Sequence, residues 1–191
     1  AKAFKRAGFF VIGIPHHQET LDQAKQSGAI DVGSLDLRAV FDADFIFICT
    51  PISQIISELK LLTPHLKPGA IVTDVGSTKS EIVSKADKLM PKGTFFVGGH
   101  PMAGKEKVKF EAAEADLFSG KTYILTQTSK TSKKALEALK TIVAQLNCNI
   151  LILDPKTHDT VVAGISHVPL MLSVALVNSV ADSSHVENMK K

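Results

Sequence analysis

Apolar residues recur along the chain in short unbroken runs, separated by stretches in which they return every three or four positions. FFVIGI (9–14), DFIFICTP (44–51), AIVTDV (70–75), TFFVGG (94–99), TYILT (122–126) and NILILD (149–154) are the short runs, and they predict strands. ETLDQAKQSG (19–28), ISQIISELKLLTPHL (52–66), SEIVSKADKL (80–89) and SKKALEALKTIVAQL (132–146) have helical spacing. EAAEADLF (111–118) predicts a further short helix, and AKAFKRAG (1–8) the end of one that feeds the first strand. Strands that are apolar throughout suit a sheet covered on both faces. Their alternation with helices predicts parallel βαβ units, hence an α/β fold with a doubly wound, Rossmann-like, mostly parallel sheet over 1–154.

After Asp154 no strand pattern returns. A long apolar helical segment begins at Pro155, a residue suited to a first helical turn, and predicts the beginning of an all-helical domain over 155–191. Residues 160–181 are apolar for about the length of a membrane span. His167, Pro169 and Asn178 interrupt them, so a buried helix is the better reading and no membrane partner is expected. No strand or glycine-rich loop precedes FFVIGI, and the helical segment ends at Lys191 with nothing to cover it. The chain therefore reads as a fragment cut at both ends, with its apolar segment prone to association.

Charge changes this picture little. The net charge of +3 and the scattered lysine pairs, such as Lys133-Lys134 and Lys190-Lys191, make no case for nucleic acid and suit a small anionic substrate. The two cysteines, Cys49 and Cys148, lie in or beside apolar runs and read as buried free thiols in a reducing cytoplasm.

The unusual residues cluster at the predicted carboxyl ends of strands, where doubly wound sheets bind ligands. Thr50-Pro51 end one strand, Asp74 to Lys79 follow the next, and GGHPMAGKE (98–106) the one after. In that last stretch two glycines allow close backbone approach to a ligand, and Pro101 fixes the chain beyond His100. Histidine titrates near neutrality, so His100 is either a general base or a loop histidine with a structural hydrogen bond. In DVGSTKSE (74–81) Ser77 or Thr78 is placed to cap the following helix, and Lys79 reads as a solvated helix residue. His158 and His167 are nine positions apart on one helical segment. Regular helix puts them on roughly opposite faces, about two and a half turns apart. With no HExxH spacing, no metal site is expected from His100, His158, His167 and Asp159.

In combination, DVGSTK, GGHPMAG and HD followed by ISHVP, in this order, resemble the prephenate and arogenate dehydrogenase family over essentially all 191 residues. HVPLMLSVALVNS looks most like the cyanobacterial-type arogenate enzymes. The resemblance implies oxidative decarboxylation of arogenate or prephenate in tyrosine biosynthesis, with hydride passing to a nicotinamide cofactor. It implies that His100 bonds the substrate's ring hydroxyl and that Ser77 lies beside the same hydroxyl and the nicotinamide. By the same resemblance His167, Met102 and Gly104 line the substrate pocket, Thr50, Pro51 and Asp74 lie by the cofactor, and the whole protein is a homodimer through its helical domain. Leu170 stands where many relatives carry a second histidine, which favours the arogenate branch. An acid normally follows the second strand of an NAD-binding fold. Here Pro15, His16 and His17 take that place, so NADP is expected, with NAD the alternative. Two rival readings stand beside this one: another hydroxyacid-type dehydrogenase of the same superfamily, and an inactive partial product.

Overall fold

The computed structural model describes residues 1–104 and 113–181. The chain opens with helix α1 (Lys2–Arg6), then alternates strands and helices. They run β1 (Ile12–Gly13), α2 (Gln18–Gln26), β2 (Val32–Gly33), β3 (Phe45–Ile48), α3 (Ile55–Leu62), β4 (Ile71–Asp74), α4 (Ser80–Leu89), β5 (Phe95–Phe96), β6 (Gly99–Pro101), β7 (Thr122–Thr126), α5 (Lys133–Ala144) and β8 (Asn149–Leu153). Among the described residues the expected helix at 111–118 does not form. Residues 115–120 are turns and 111–112 lie outside the described residues.

β1 and β2 pair in parallel, as do β3, β4 and β5. The extended run 95–101 then changes partners. Its first half lies parallel to β4, with Val97 N–H donating to the Val72 carbonyl at 3.0 Å. Its second half, β6, pairs antiparallel with β7, and β7 pairs in parallel with β8. A residue near the centre of this run is therefore held from both sides. The sheet is mostly parallel, with one reversal that the sequence pattern did not reveal.

The pleat explains the apolar strands. Ile46 and Ile48 of β3 and Val72 of β4 face a core with Ile55, Leu59 and Ile82 from α3 and α4. Phe45 and Phe47 point the other way with Ile71, against Leu136, Leu139 and Val143 of α5. Both faces are covered, so no position on β4 can be polar without a partner, and all four of its residues are buried. Local signals set the helix ends. Gly28 adopts a positive φ of 65° just past α2. The Ser132 hydroxyl accepts from Ala135 N–H at the start of α5.

Asp154 caps the next helix, α6 (Pro155–Val162), accepting from Lys156 and Thr157 N–H. α6 runs through a π-turn (Ala163–His167) into α7 (Val168–Ala181). No residue of α7 is buried, and Leu170, Met171, Leu172, Leu176 and Val177 are each more than 60% exposed. The expected buried helix is thus exposed among the described residues, because no described element packs on it. By length and composition alone, Pro155–Ala181 could also cross a membrane. The cysteines differ from expectation as well: both are free, Cys148 is half-buried, and Cys49 is exposed where β3 has just ended.

Leu139 is fully enclosed between α5 and the sheet. Leu139→Ala should cost about 2–5 kcal/mol, read as a lower urea midpoint at unchanged slope.

Candidate active site

The site grows from the carboxyl end of β4. Asp74 is fully buried there, and its carboxylate accepts from Gly76 N–H at 2.9 Å, Gly99 N–H at 3.2 Å and the Lys79 ammonium. Lys79 is also fully buried. Burial pushes its pKa down, against the pull of Asp74 and, further out, Asp159. The expectation of a solvated Lys79 is corrected: the loop between β4 and α4 is folded around this ion pair. Asp74, expected to lie by the cofactor, has its carboxylate enclosed by protein and supports the loop from beneath.

Gly98 and Gly99 are required for close approach of protein to protein. A Cβ on Gly98 would lie 2.4 Å from the Thr126 hydroxyl, and one on Gly99 2.7 Å from the Asp74 carbonyl. Neither glycine has positive φ. Pro101 sits in the ladder opposite Tyr123. The two glycines and the proline therefore hold His100 in a strand wedged between β4 and β7, rather than in a loop.

His100 is 8% exposed. Its Nδ1 lies 2.9 Å from Nε2 of His158, a fully buried residue of α6. His158 Nδ1 lies 2.8 Å from Asp159 Oδ1. Asp159 in turn accepts from Lys79 N–H at 2.7 Å and Ser80 N–H at 2.9 Å. The cap of α4 thus comes from a residue 80 positions along the chain, not from Ser77 or Thr78, both of which are left exposed. Burial pushes the Asp159 carboxyl up, but hydrogen bonds from Ser80, His158 and Lys79 outweigh it and hold the pKa at about 2. Burial is also the largest influence on His100, followed by His158, Lys79 and His167. Against Asp159, they lower its pKa to about 4.

His167 is half-buried and close enough to act on His100 electrostatically. Regular α-helix would have turned it away from His158. The π-turn takes up about one extra residue and rotates the succeeding helix back by roughly 100°. The opposite-face expectation, which assumed regular helix, therefore does not hold, and His167 stands within electrostatic reach of His100. Met102 is half-buried, its N–H bonded to the Thr122 carbonyl at 2.8 Å, and Gly104 is exposed. Lys105 and Glu106 of the same motif lie outside the described residues.

The residues expected around a cofactor lie at the carboxyl ends of β1 and β3. Pro15 is half-buried, and His16 and His17 are exposed. His16 Nε2 lies 3.5 Å from Glu58 Oε1 of α3, a carboxylate beside this turn that sequence spacing did not reveal. Thr50 holds a buried hydroxyl with no partner among the described residues, and Pro51, exposed, leads toward α3. Exposed imidazoles, the Ser77 and Thr78 hydroxyls and the unpaired Thr50 hydroxyl are a donor set that fits a dinucleotide laid across the carboxyl edge of the sheet.

The profile described as "Prephenate dehydrogenase, nucleotide-binding domain" matches residues 1–152, and "Prephenate dehydrogenase, dimerization domain" matches 154–191. The prephenate dehydrogenase of Bacillus subtilis is 36% identical over 181 residues, covering 94% of this chain and 48% of the relative. That of Lactococcus lactis is 39% identical over 163 residues, covering 84% and 44%. The chain spans about half the length of these curated relatives. Among solved structures, arogenate dehydrogenase from Synechocystis superposes with a TM-score of 0.87 at 37% identity, over 99% of this chain and 67% of its own. Prephenate dehydrogenase from Aquifex aeolicus, in complex with hydroxyphenyl propionate and NAD+, gives 0.90 at 33%, over 100% and 68%.

Removing one member of a buried ion pair leaves the other charge uncompensated. Lys79→Met should cost about 3–5 kcal/mol in denaturant unfolding, and Asp74→Asn with Lys79→Met together less than the sum of the two single changes.

Proposed function

The chain belongs to the prephenate dehydrogenase family, and on that premise we propose that the protein at its full natural length oxidatively decarboxylates arogenate, or prephenate, with hydride transfer to NADP. The observation that carries the reading is His100: a buried imidazole, lowered to about 4 and so unprotonated at neutral pH, held at the carboxyl edge of the sheet. A base at this place needs to be neutral before it accepts a proton.

The substrate is a cyclohexadienol with a carboxylate on the opposite ring carbon. A bound nicotinamide supplies the acceptor for the hydride on the hydroxyl-bearing carbon. His100 takes the hydroxyl proton as that carbon is oxidised. The bond to the carboxylate then breaks, carbon dioxide leaves, and its electron pair completes the aromatic ring. Aromatisation drives the chemistry, so the protein's task is to position the hydroxyl and hold one proton. Ser77, exposed on the loop above the Asp74–Lys79 pair, lies beside the hydroxyl in this reading. Met102, Gly104 and His167 line the substrate side, and Pro15, His16, His17, Thr50 and Pro51 the cofactor side. Asp74 serves the cofactor by shaping the loop.

NADP is favoured over NAD because the turn after β1 has imidazoles where a ribose-binding acid usually stands. Glu58 beside His16 opposes a 2′-phosphate unless His16 itself meets it. Arogenate is favoured because Leu170 replaces a histidine common in the family, and the Synechocystis relative is an arogenate dehydrogenase. A homodimer is proposed from the match to a dimerization domain and the bare apolar surface of α7. Two free cysteines suit a cytoplasmic protein.

Reduced-cofactor formation with arogenate or prephenate, each with NADP and NAD, tests the reading. Arogenate with NADP should be the fastest pair, and no turnover with either substrate would overturn it. His100→Asn should lower turnover on the order of 100-fold or more. A variant retaining near-full activity would remove His100 from the base role. In the parent, kcat/KM should hold level down to about pH 5 and fall toward about 4, where His100 protonates. The folded state binds fewer protons than the unfolded one between about pH 6.5 and about 4. This contribution to stability is therefore present above about pH 6.5 and lost as pH falls to about 4, a trend that urea midpoints will show.

A further inference from the structure

We propose that His158 and Asp159 are positioning residues that fix the tautomer of His100, and that one carboxylate ties this relay to the loop carrying Ser77. The inference deepens the reading of His100 as the base and rests on it for its catalytic consequence.

The direction of the hydrogen bonds is set by the acceptor at the end of the chain. An ionised carboxylate only accepts, so the 2.8 Å contact with Asp159 Oδ1 places a hydrogen on His158 Nδ1. The relay takes His158 as the neutral ring, whose Nε2 then carries a lone pair. The 2.9 Å contact to His100 then requires a hydrogen on His100 Nδ1. His100 Nε2 is left with the lone pair, as a base needs. When that nitrogen accepts the substrate's proton, the imidazolium keeps its donor bond to His158, whose own donor bond ends on a negative charge. Asp159 cannot swivel to reverse the order, because Lys79 N–H and Ser80 N–H hold both of its oxygens at the start of α4. Ser77 lies two residues before the first of those amides, so base and loop share one anchor.

Nitrogen-15 spectra of labelled histidine in the full-length protein at pH 8, with His100 assigned from its loss in His100→Asn, read the tautomer directly. The parent should show His100 protonated on Nδ1 and bare on Nε2. His158→Phe, which leaves the Asp159 bonds to α4 in place, should mix the tautomers. It should also lower kcat on the order of 100-fold, with KM for the cofactor unchanged within about threefold. His158→Gln, which restores an acceptor carbonyl, should recover a large part of that loss. A parent His100 protonated on Nε2, or a His158→Phe variant with parental kcat, overturns the relay. Nδ1 protonation in a protein that turns over neither arogenate nor prephenate upholds the relay and overturns the functional reading instead.

Discussion

The buried pair of Asp74 and Lys79 is the constraint from which the site is built. Two charges withdrawn from water are costly, and their attraction offsets that cost only where every remaining valence is met. Here the carboxylate also takes the amides of Gly76 and Gly99. The first bond shapes the loop that carries Ser77, and the second draws the next strand in beside it. That strand can come so close because positions 98 and 99 carry no Cβ. The place of His100 is thus a consequence of where a lysine must be neutralised.

The same pair shapes the electrostatics. Burial does most to lower the pKa of His100, and the positive charge of Lys79, held where water is excluded, acts in the same direction. Asp159 opposes this shift, while its carboxylate also accepts from the α4 amides and lies against His158. The imidazole is neutral for reasons of environment that no residue of the GGHPMAG motif contains. A histidine of the same sequence in a solvated loop would titrate near its ordinary value.

Much of the frame was legible in the sequence. SEIVSKADKL forms a helix over Ser80–Leu89 and TYILT a strand over Thr122–Thr126, as their patterns predict. Each has a strong periodicity and a packed partner, so local preference and tertiary context agree. β2, only Val32–Gly33, is too short to leave a pattern. Where a helix was predicted over 111–118, turns stand at 115–118. At the site, residue identities were legible and their connections were not. Lys79 reads as exposed because lysine usually is, and its partner five positions earlier faces it only through the loop's fold. Asp159 caps a helix about 80 residues away, a relation no local window contains.

The π-turn at Ala163–His167 shows why helical arithmetic failed at the point of greatest interest. Counting at 100° per residue places His158 and His167 on opposite faces, and one wide turn rotates His167 back from that position. Such a turn gives up regular hydrogen bonding and persists where surrounding contacts favour it. On one side α6 is tied to α4, with Asp159 accepting from the Lys79 and Ser80 amides and the Ser80 hydroxyl donating to the Pro155 carbonyl. On the other, α7 is apolar on every face and bare along its length. His167 ends the wide turn and α7 follows from it without a break, so the turn also sets the direction in which α7 leaves the site.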